Sequence, residues 1–292
     1  MAARDTQVEP RLSISAATTY DASYEEDLAG YAAAGVAGIG IWEYKIVGRD
    51  DAALVDALEA SGLRATVCVP GAPSMFPNTL FPAPADPRDR LASLRASIKR
   101  FARFNPASCL VLASFPPDDD PERARPVIVD GLRAAAETAG EAGVRLVLEP
   151  LRRELGTLAV LPSEALALIE EVGATNIDLL LDTWHFWDLP GIREELAAHV
   201  GRIGAVQING RAPQPRSWCD RLLPGEGVID LPGFIATLES AGYRGWYDVE
   251  VFSDNGRYGE RYPDSLWALP AAEVARRAVE GFRRAWAAYE QR

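Results

Sequence analysis

Ile177-Asp178-Leu179-Leu180-Leu181-Asp182-Thr183-Trp184-His185 is the stretch on which the fold turns. It reads as a buried strand that ends on a carboxylate and then turns. Side chains alternate faces along a strand, so Leu180 and Asp182 share one face while Leu179 and Leu181 share the other. The same design recurs in Arg145-Leu146-Val147-Leu148-Glu149-Pro150, in Val206-Gln207-Ile208-Asn209 and in Trp246-Tyr247-Asp248-Val249-Glu250-Val251. Glu149 shares a face with Val147, Gln207 with Ala205 and Glu250 with Asp248. The opposite faces are apolar throughout. Each strand therefore presses one side against helices and points a metal-compatible oxygen inward at its C-terminal end. An uncompensated buried carboxylate is costly. Three that converge call for a cation or an unusual proton arrangement.

Outward from these strands the chain alternates. Strands are expected near 11–17, 38–43, 64–69, 109–114, 144–149, 177–183, 203–209 and 245–251. Helices are expected near 24–34, 50–61, 87–104, 121–142, 163–172, 191–199, 231–241 and 271–290. Strict alternation implies parallel strands joined by right-handed crossovers. Eight such units in 292 residues predict an α/β chain folded as a single (β/α)8 TIM barrel. The barrel domain is expected to take in residues 11–292, with residues 1–10 as a flexible N-terminal tail. An open doubly wound sheet lacks support, because Gly38-Ile39-Gly40 and Gly225-Glu226-Gly227 stand in the wrong context for a dinucleotide loop. Long connections follow the strands at 70–85, 210–230 and 252–267, whereas helix-to-strand turns are short. That asymmetry places the site at the C-terminal strand ends.

Composition narrows the partners. Formal net charge is −12, and the only lysines are Lys45 and Lys99. Nucleic acid and anionic membrane surfaces need clustered cations and are poor partners. No apolar run approaches a membrane span, and the N-terminus lacks an apolar signal core, so a cytoplasmic protein is expected. Cys68, Cys109 and Cys219 show no CxxC spacing and read as reduced thiols.

Glu149, Asp182, Gln207 and Glu250 would together supply four oxygen ligands, a set suited to a hard divalent cation such as Mg2+ or Mn2+. His185, beside Trp184, Phe186 and Trp187, can meet Asp182 only if the chain turns out of the strand after Asp182. It is expected to bond a substrate oxygen. Further substrate-binding candidates are Trp42, Glu43, Lys45, Trp184 and Arg211, the last as a clamp for a hydroxyl, carboxylate or phosphate. His199, at a helix end, reads as structural.

The motifs Leu148-Glu149-Pro150, Leu181-Asp182-Thr183-Trp184-His185, Val206-Gln207-Ile208, Gly225-Glu226-Gly227-Val228-Ile229-Asp230 and the Gly242…Glu250 run resemble the xylose-isomerase-like superfamily of sugar isomerases and epimerases. The resemblance covers nearly the whole chain from Arg11. It implies one divalent metal ion, Mn2+ first with Mg2+ or Co2+ as alternatives, on Glu149, Asp182 and Glu250. It also implies Glu149 and Glu250 as an acid/base pair. Where ketose 3-epimerases often carry His, this chain has Gln207, which is closer to hydroxypyruvate isomerase and some dehydratases. The nuclease branch uses several histidines for three zinc ions, and a chain with two histidines departs from it.

The expected chemistry is proton abstraction alpha to a carbonyl, with a metal-stabilised enediolate. Return of the proton to the neighbouring carbon isomerises; return to the opposite face epimerises. A leaving group beta to the carbonyl would instead give elimination. A metal-dependent isomerase or epimerase of a sugar or sugar acid is therefore the first expectation. A lyase on the same scaffold is the alternative: an inosose- or 3-dehydroshikimate-type dehydratase, or a C-glycoside-cleaving lyase subunit. A non-enzymatic ligand- or partner-binding barrel is the third. The partner is a small carbonyl or polyol substrate, with a homo-oligomer or partner subunit left open.

Overall fold

The computed structural model describes residues 11–292, so the expected tail at 1–10 lies outside the described residues. The barrel strands are β1 Leu12–Ser15, β2 Gly38–Gly40, β3 in two pieces (Arg64–Ala65 and Val67–Cys68), β4 Ser108–Leu112, β5 Leu146–Glu149, β6 Ile177–Asp182, β7 Ile203–Ile208 and β8 Trp246–Val249. Every pairing among them is parallel, and each strand neighbours its sequence neighbours, with β8 back beside β1. The first piece of β3 pairs with β2 and the second with β4. Between them Thr66 donates its N–H to Ile39 at 2.9 Å and accepts from the Ser108 N–H at 3.0 Å. The two ends of the sheet are thus halves of one strand. The barrel closes and leaves no edge to template further pairing.

Eight helices alternate with the strands: α1 Tyr24–Ala33, α2 Asp51–Ser61, α3 Pro87–Phe101, α4 Pro121–Ala142, α5 Pro162–Val172, α6 Ile192–Ala198, α7 Leu231–Ala241 and α8 Ala271–Glu290. Their starts follow from local chemistry. Ser23, Asp50, Asp86, Asp120 and Asp230 each accept a first-turn N–H, which satisfies donors the helix cannot. Proline enters the first turn of α3, α4 and α5, where no N–H is needed.

Two cores result. Leu146, Leu148, Leu179, Leu181, Val206 and Ile208 face the helices. Val147, Leu180, Ala205, Leu110 and Val67 belong to a second cluster, inside the barrel and above it. The alternation read from the sequence is the partition that the structure makes.

Some boundaries differ from expectation. β2 stops at Gly40, and Glu43–Lys45 coil into a 3-10 turn, because Trp42 retains only a single bridge to Val69. β8 stops at Val249, so Glu250 sits one residue past the strand. Beyond β7 the chain forms a short antiparallel ribbon, Gly210–Arg211 against Arg221–Leu222. Gly225 and Gly227 follow it at φ of 80° and 77°. A Cβ on Gly227 would stand 1.9 Å from the Arg211 carbonyl oxygen, so this Gly-x-Gly serves a tight turn.

Candidate active site

Four strand ends converge. Glu149, Asp182, Gln207 and Glu250 are all buried at the C-terminal mouth of the barrel. Asp182 does two things there. Its Oδ1 accepts the Trp184 N–H at 2.9 Å and so caps a single helical turn, Thr183–Phe186. That turn swings His185 back, with Nε2 3.8 Å from Asp182 Oδ2 and 3.6 Å from Glu149 Oε1. Asn209, two residues past Gln207 and on its face, donates to Asp182 Oδ1 at 2.7 Å and holds the capping carboxylate from the other side.

Glu149, Asp182 and His185 form a compact, buried group with donor atoms within 4.8 Å of one another. Ligand atoms around one divalent ion, each at about 2.1 Å, lie roughly 3–3.5 Å apart. The His185 distances are too long for good hydrogen bonds and a little wider than a coordination shell. The donor chemistry also fits. The Glu149 carboxylate accepts no hydrogen bond among the described residues. His185 Nδ1 and Gln207 Oε1 are buried without partners. These residues can hold a metal ion.

The other two expected ligands are turned toward each other. Gln207 Nε2 donates to Glu250 Oε1 at 2.7 Å, and Ser15 donates to the same oxygen at 3.3 Å. Arg221, which the sequence reading did not single out, reaches in from the ribbon. Its Nη1 lies 2.7 Å from Asp182 Oδ2 and 3.4 Å from Glu250 Oε2. It is the cation that partly offsets three buried acids. Its signal in the sequence was modest: an arginine just ahead of Leu222-Leu223-Pro224-Gly225 in a long post-strand loop.

Burial dominates the electrostatics. It pushes the Glu149 carboxyl well above the usual range, helped by Asp182 and Glu250, with Arg221 opposing. Glu250 is raised to about 8, again by burial, with Arg221 pulling it down. His185 is lowered to about 4, so the imidazole is neutral near pH 7. One layer deeper Asp248, bonded to Ser13, is raised to about 7 by burial.

A cavity of about 270 Å³ opens over Glu149, His185, Arg221 and Glu250. Trp42 and Trp184, both expected at the site, line it. Arg211 does not; it stacks on Trp184 with its guanidinium carbon 4.7 Å from the ring centroid, and its Nε is buried without a partner. Glu43 and Lys45, also expected to bind substrate, do not line this cavity. The Glu43 carboxylate accepts from the Gly71 N–H at 2.7 Å and the Ser97 hydroxyl at 2.6 Å. Lys45 donates to the Thr19 carbonyl at 2.8 Å and pairs with Asp27, both side chains being almost wholly buried. The 3-10 turn that ends β2 aims both residues at neighbouring elements. Burial raises Asp27 to about 7 and lowers Lys45, so neither ion is comfortable alone. Lys45→Met is expected to cost about 3 kcal/mol or more by stranding Asp27. Urea denaturation checks this; a loss under about 1 kcal/mol would show that the pair is not holding charge.

Eight parallel strands thus close into a barrel that carries Glu149 and Asp182 at the ends of two of them and Glu250 one residue past a third. The chain belongs to the xylose isomerase-like TIM barrel family, whose family model matches residues 28–285. It is 32% identical over 165 residues to a 3-dehydroshikimate dehydratase of Pseudomonas aeruginosa, a match covering 54% of this chain and 23% of that protein. It is 27% identical over 169 residues to a 2-oxo-tetronate isomerase of Cupriavidus necator, covering 55% of this chain and 62% of that protein. The matches therefore span less than two thirds of these relatives. A solved structure from Sinorhizobium meliloti superposes with a TM-score of 0.80 at 24% identity, over 94% of this chain and 98% of that one. The relatives are enzymes, and they include both isomerases and dehydratases. No helix among the described residues is long and apolar enough to cross a membrane.

Proposed function

We propose that the protein is a divalent-metal-dependent isomerase or epimerase that removes the proton alpha to a carbonyl in a small hydroxycarbonyl compound. The observation that carries this reading is the placement of Glu149 and Glu250. Both are buried carboxyls facing one cavity, and both have proton affinities raised by burial. A pair of that kind can exchange a proton with carbon near neutral pH, one as base and the other as acid. The reading assigns a divalent ion to Glu149 and Asp182, with Gln207 Oε1 and Glu250 completing an oxygen set and His185 Nε2 as the competing third donor. When bound, such an ion polarises the carbonyl and favours the ionised form of the neighbouring hydroxyl.

The chain's own residues do the rest. The guanidinium of Arg221, between Asp182 and Glu250, faces the place where negative charge develops. Neutral His185 bonds a substrate oxygen without competing for the proton. Ser15 and Gln207 fix one oxygen of Glu250 and leave the other toward Arg221 and the cavity. Proton return to the adjacent carbon gives isomerisation, and return to the opposite face gives epimerisation.

The test is deuterium wash-in. Hydroxypyruvate, a 2-oxo-tetronate and representative ketoses are incubated with the Mn2+-loaded protein in D2O and followed by NMR. Deuterium at the carbon alpha to the carbonyl, with mass otherwise conserved, is expected. Product formation with no deuterium in product or recovered substrate for any turned-over compound would count against exchange with solvent and point to shielded transfer. No conversion and no exchange across the panel would refute the reading for these substrates. A dehydratase is the second reading, favoured by the Pseudomonas aeruginosa relative; loss of the mass of water from product identifies it.

His185→Ala is expected to keep the metal and to raise KM more than it lowers kcat. Metal content by inductively coupled plasma mass spectrometry, beside the kinetics, checks this. Loss of metal from the variant would make His185 the third donor.

A further inference from the structure

The cavity over the acids is built unlike a site for a bare polyol. One wall is a run of rings: Trp42 stacks on Phe81 at 5.7 Å with planes 18° apart, Phe252 meets the edge of Trp42 at 5.9 Å, and Trp218 lies 5.7 Å from Phe252. All four line the cavity. The barrel side adds Leu110, Leu112 and Leu151, with Phe115 and Pro117 beyond them. At the mouth stands Leu155, 39% exposed and one of few large apolar residues the described surface leaves open.

Away from the acid cluster the lining's polar side chains are Asn78, Thr79, Ser114 and, at the exposed rim, Glu154, against a wall that is mostly rings and leucines. Asn78 Oδ1 accepts the N–H groups of Leu80 and Phe81, and its amide donates to Ser114 at 3.4 Å. The Trp42 N–H is spent on Ser15 at 2.8 Å. Arg221, the only Lys or Arg lining the cavity among the described residues, is already engaged with Asp182 and Glu250. A hydroxyl-rich chain laid against the rings and leucines would leave oxygens facing apolar side chains, at the cost of their desolvation. A flat apolar ring would meet aromatic faces and leucine side chains instead.

We infer that the substrate is an uncharged hydroxycarbonyl compound that carries a planar apolar ring, with the hydroxycarbonyl end at Glu149, His185 and Glu250 and the ring against Phe81, Trp218, Phe252, Leu110 and Leu112. The inference rests on the proposed chemistry of the acid cluster for the orientation of the reactive end. Its ring-binding half stands on the cavity wall alone.

The test compares two probes with the same reactive end: 1-hydroxybutan-2-one and 1-hydroxy-4-phenylbutan-2-one. Each is titrated calorimetrically into the Mn2+-loaded protein, and C1 exchange in D2O is followed by NMR. The phenyl probe is expected to bind about 10- to 100-fold more tightly, the range for burying an aromatic side chain. Phe81→Ala is expected to remove most of that gain, so that the ratio between the two probes falls toward one. Leu155→Glu, at a position 39% exposed, is expected to weaken the phenyl probe more than the ringless one. Equal affinity for the two probes overturns the inference, as does a phenyl preference that neither variant reduces. A phenyl preference that both variants reduce, without exchange in either probe, supports the ring site and counts against the proton-abstraction reading. Exchange in both probes with no phenyl preference does the reverse.

Discussion

Glu250→Gln is expected to lower turnover by about 10²- to 10⁴-fold, and Glu149→Gln by a similar factor, with metal still bound in each. The substitution keeps an oxygen and the side-chain volume but removes the base. At Glu250 the oxygen can still accept from Gln207 and Ser15. The new amide N–H groups would then face Arg221, whose Nη1 now lies 3.4 Å from Glu250 Oε2, a donor against a donor. A modest loss of stability, of about 1 kcal/mol, accompanies the kinetic effect. If the carboxylate acts only in the transition state, kcat and kcat/KM fall together. Steady-state kinetics, metal analysis and the rate of deuterium wash-in measured on the same preparations check the prediction. Turnover like that of the wild type in Glu250→Gln, with metal retained, would remove Glu250 from the role of base.

Chelation is expected to abolish activity, and added Mn2+ to restore it. The apoprotein should also melt at a lower temperature. An ion present at about 100 times its dissociation constant adds about 2.7 kcal/mol to the folded state when it binds only that state. The structure gives a reason to expect survival of the apo fold. Arg221 and the hydrogen bonds from Asn209 and Trp184 all hold Asp182. Asp182→Ala should behave worse than the apoprotein, since it removes a ligand, the cap of the Thr183–Phe186 turn and the partner of Arg221 together. Calorimetry of the apo, holo and Asp182→Ala proteins separates these cases. A rigorously metal-free preparation with full activity would end the metal assignment.

The closed parallel barrel was legible because burial on both faces writes a simple pattern. Val147 with Glu149, and Leu180 with Asp182, announced an inward face that ends in oxygen. Leu146, Leu148, Leu179 and Leu181 announced a helix-facing one. What alternation could not reach is the conformation after a strand ends. Glu43 and Lys45 lie past the end of β2 in a 3-10 turn, and their side chains meet Ser97 and Asp27, partners no periodicity announces. Arg221 lies 39 positions from Asp182, and only the fold of the ribbon joins them. Ser15 and Asn209 reveal their roles through hydrogen bonds to Glu250 and Asp182, which leave no periodic trace.

The ribbon that carries Arg221 has a consequence for how such a site can diverge. The negative charges belong to barrel staves, where any shift of register would disturb the whole cylinder. The compensating positive charge arrives on an excursion that pairs with itself through two residues on each side. Lengthening, shortening or reseating that excursion would change the charge balance over the acids while leaving the staves as they are. Descendants of one barrel could thus trade reactions by editing a tether, with the scaffold's folding problem already solved.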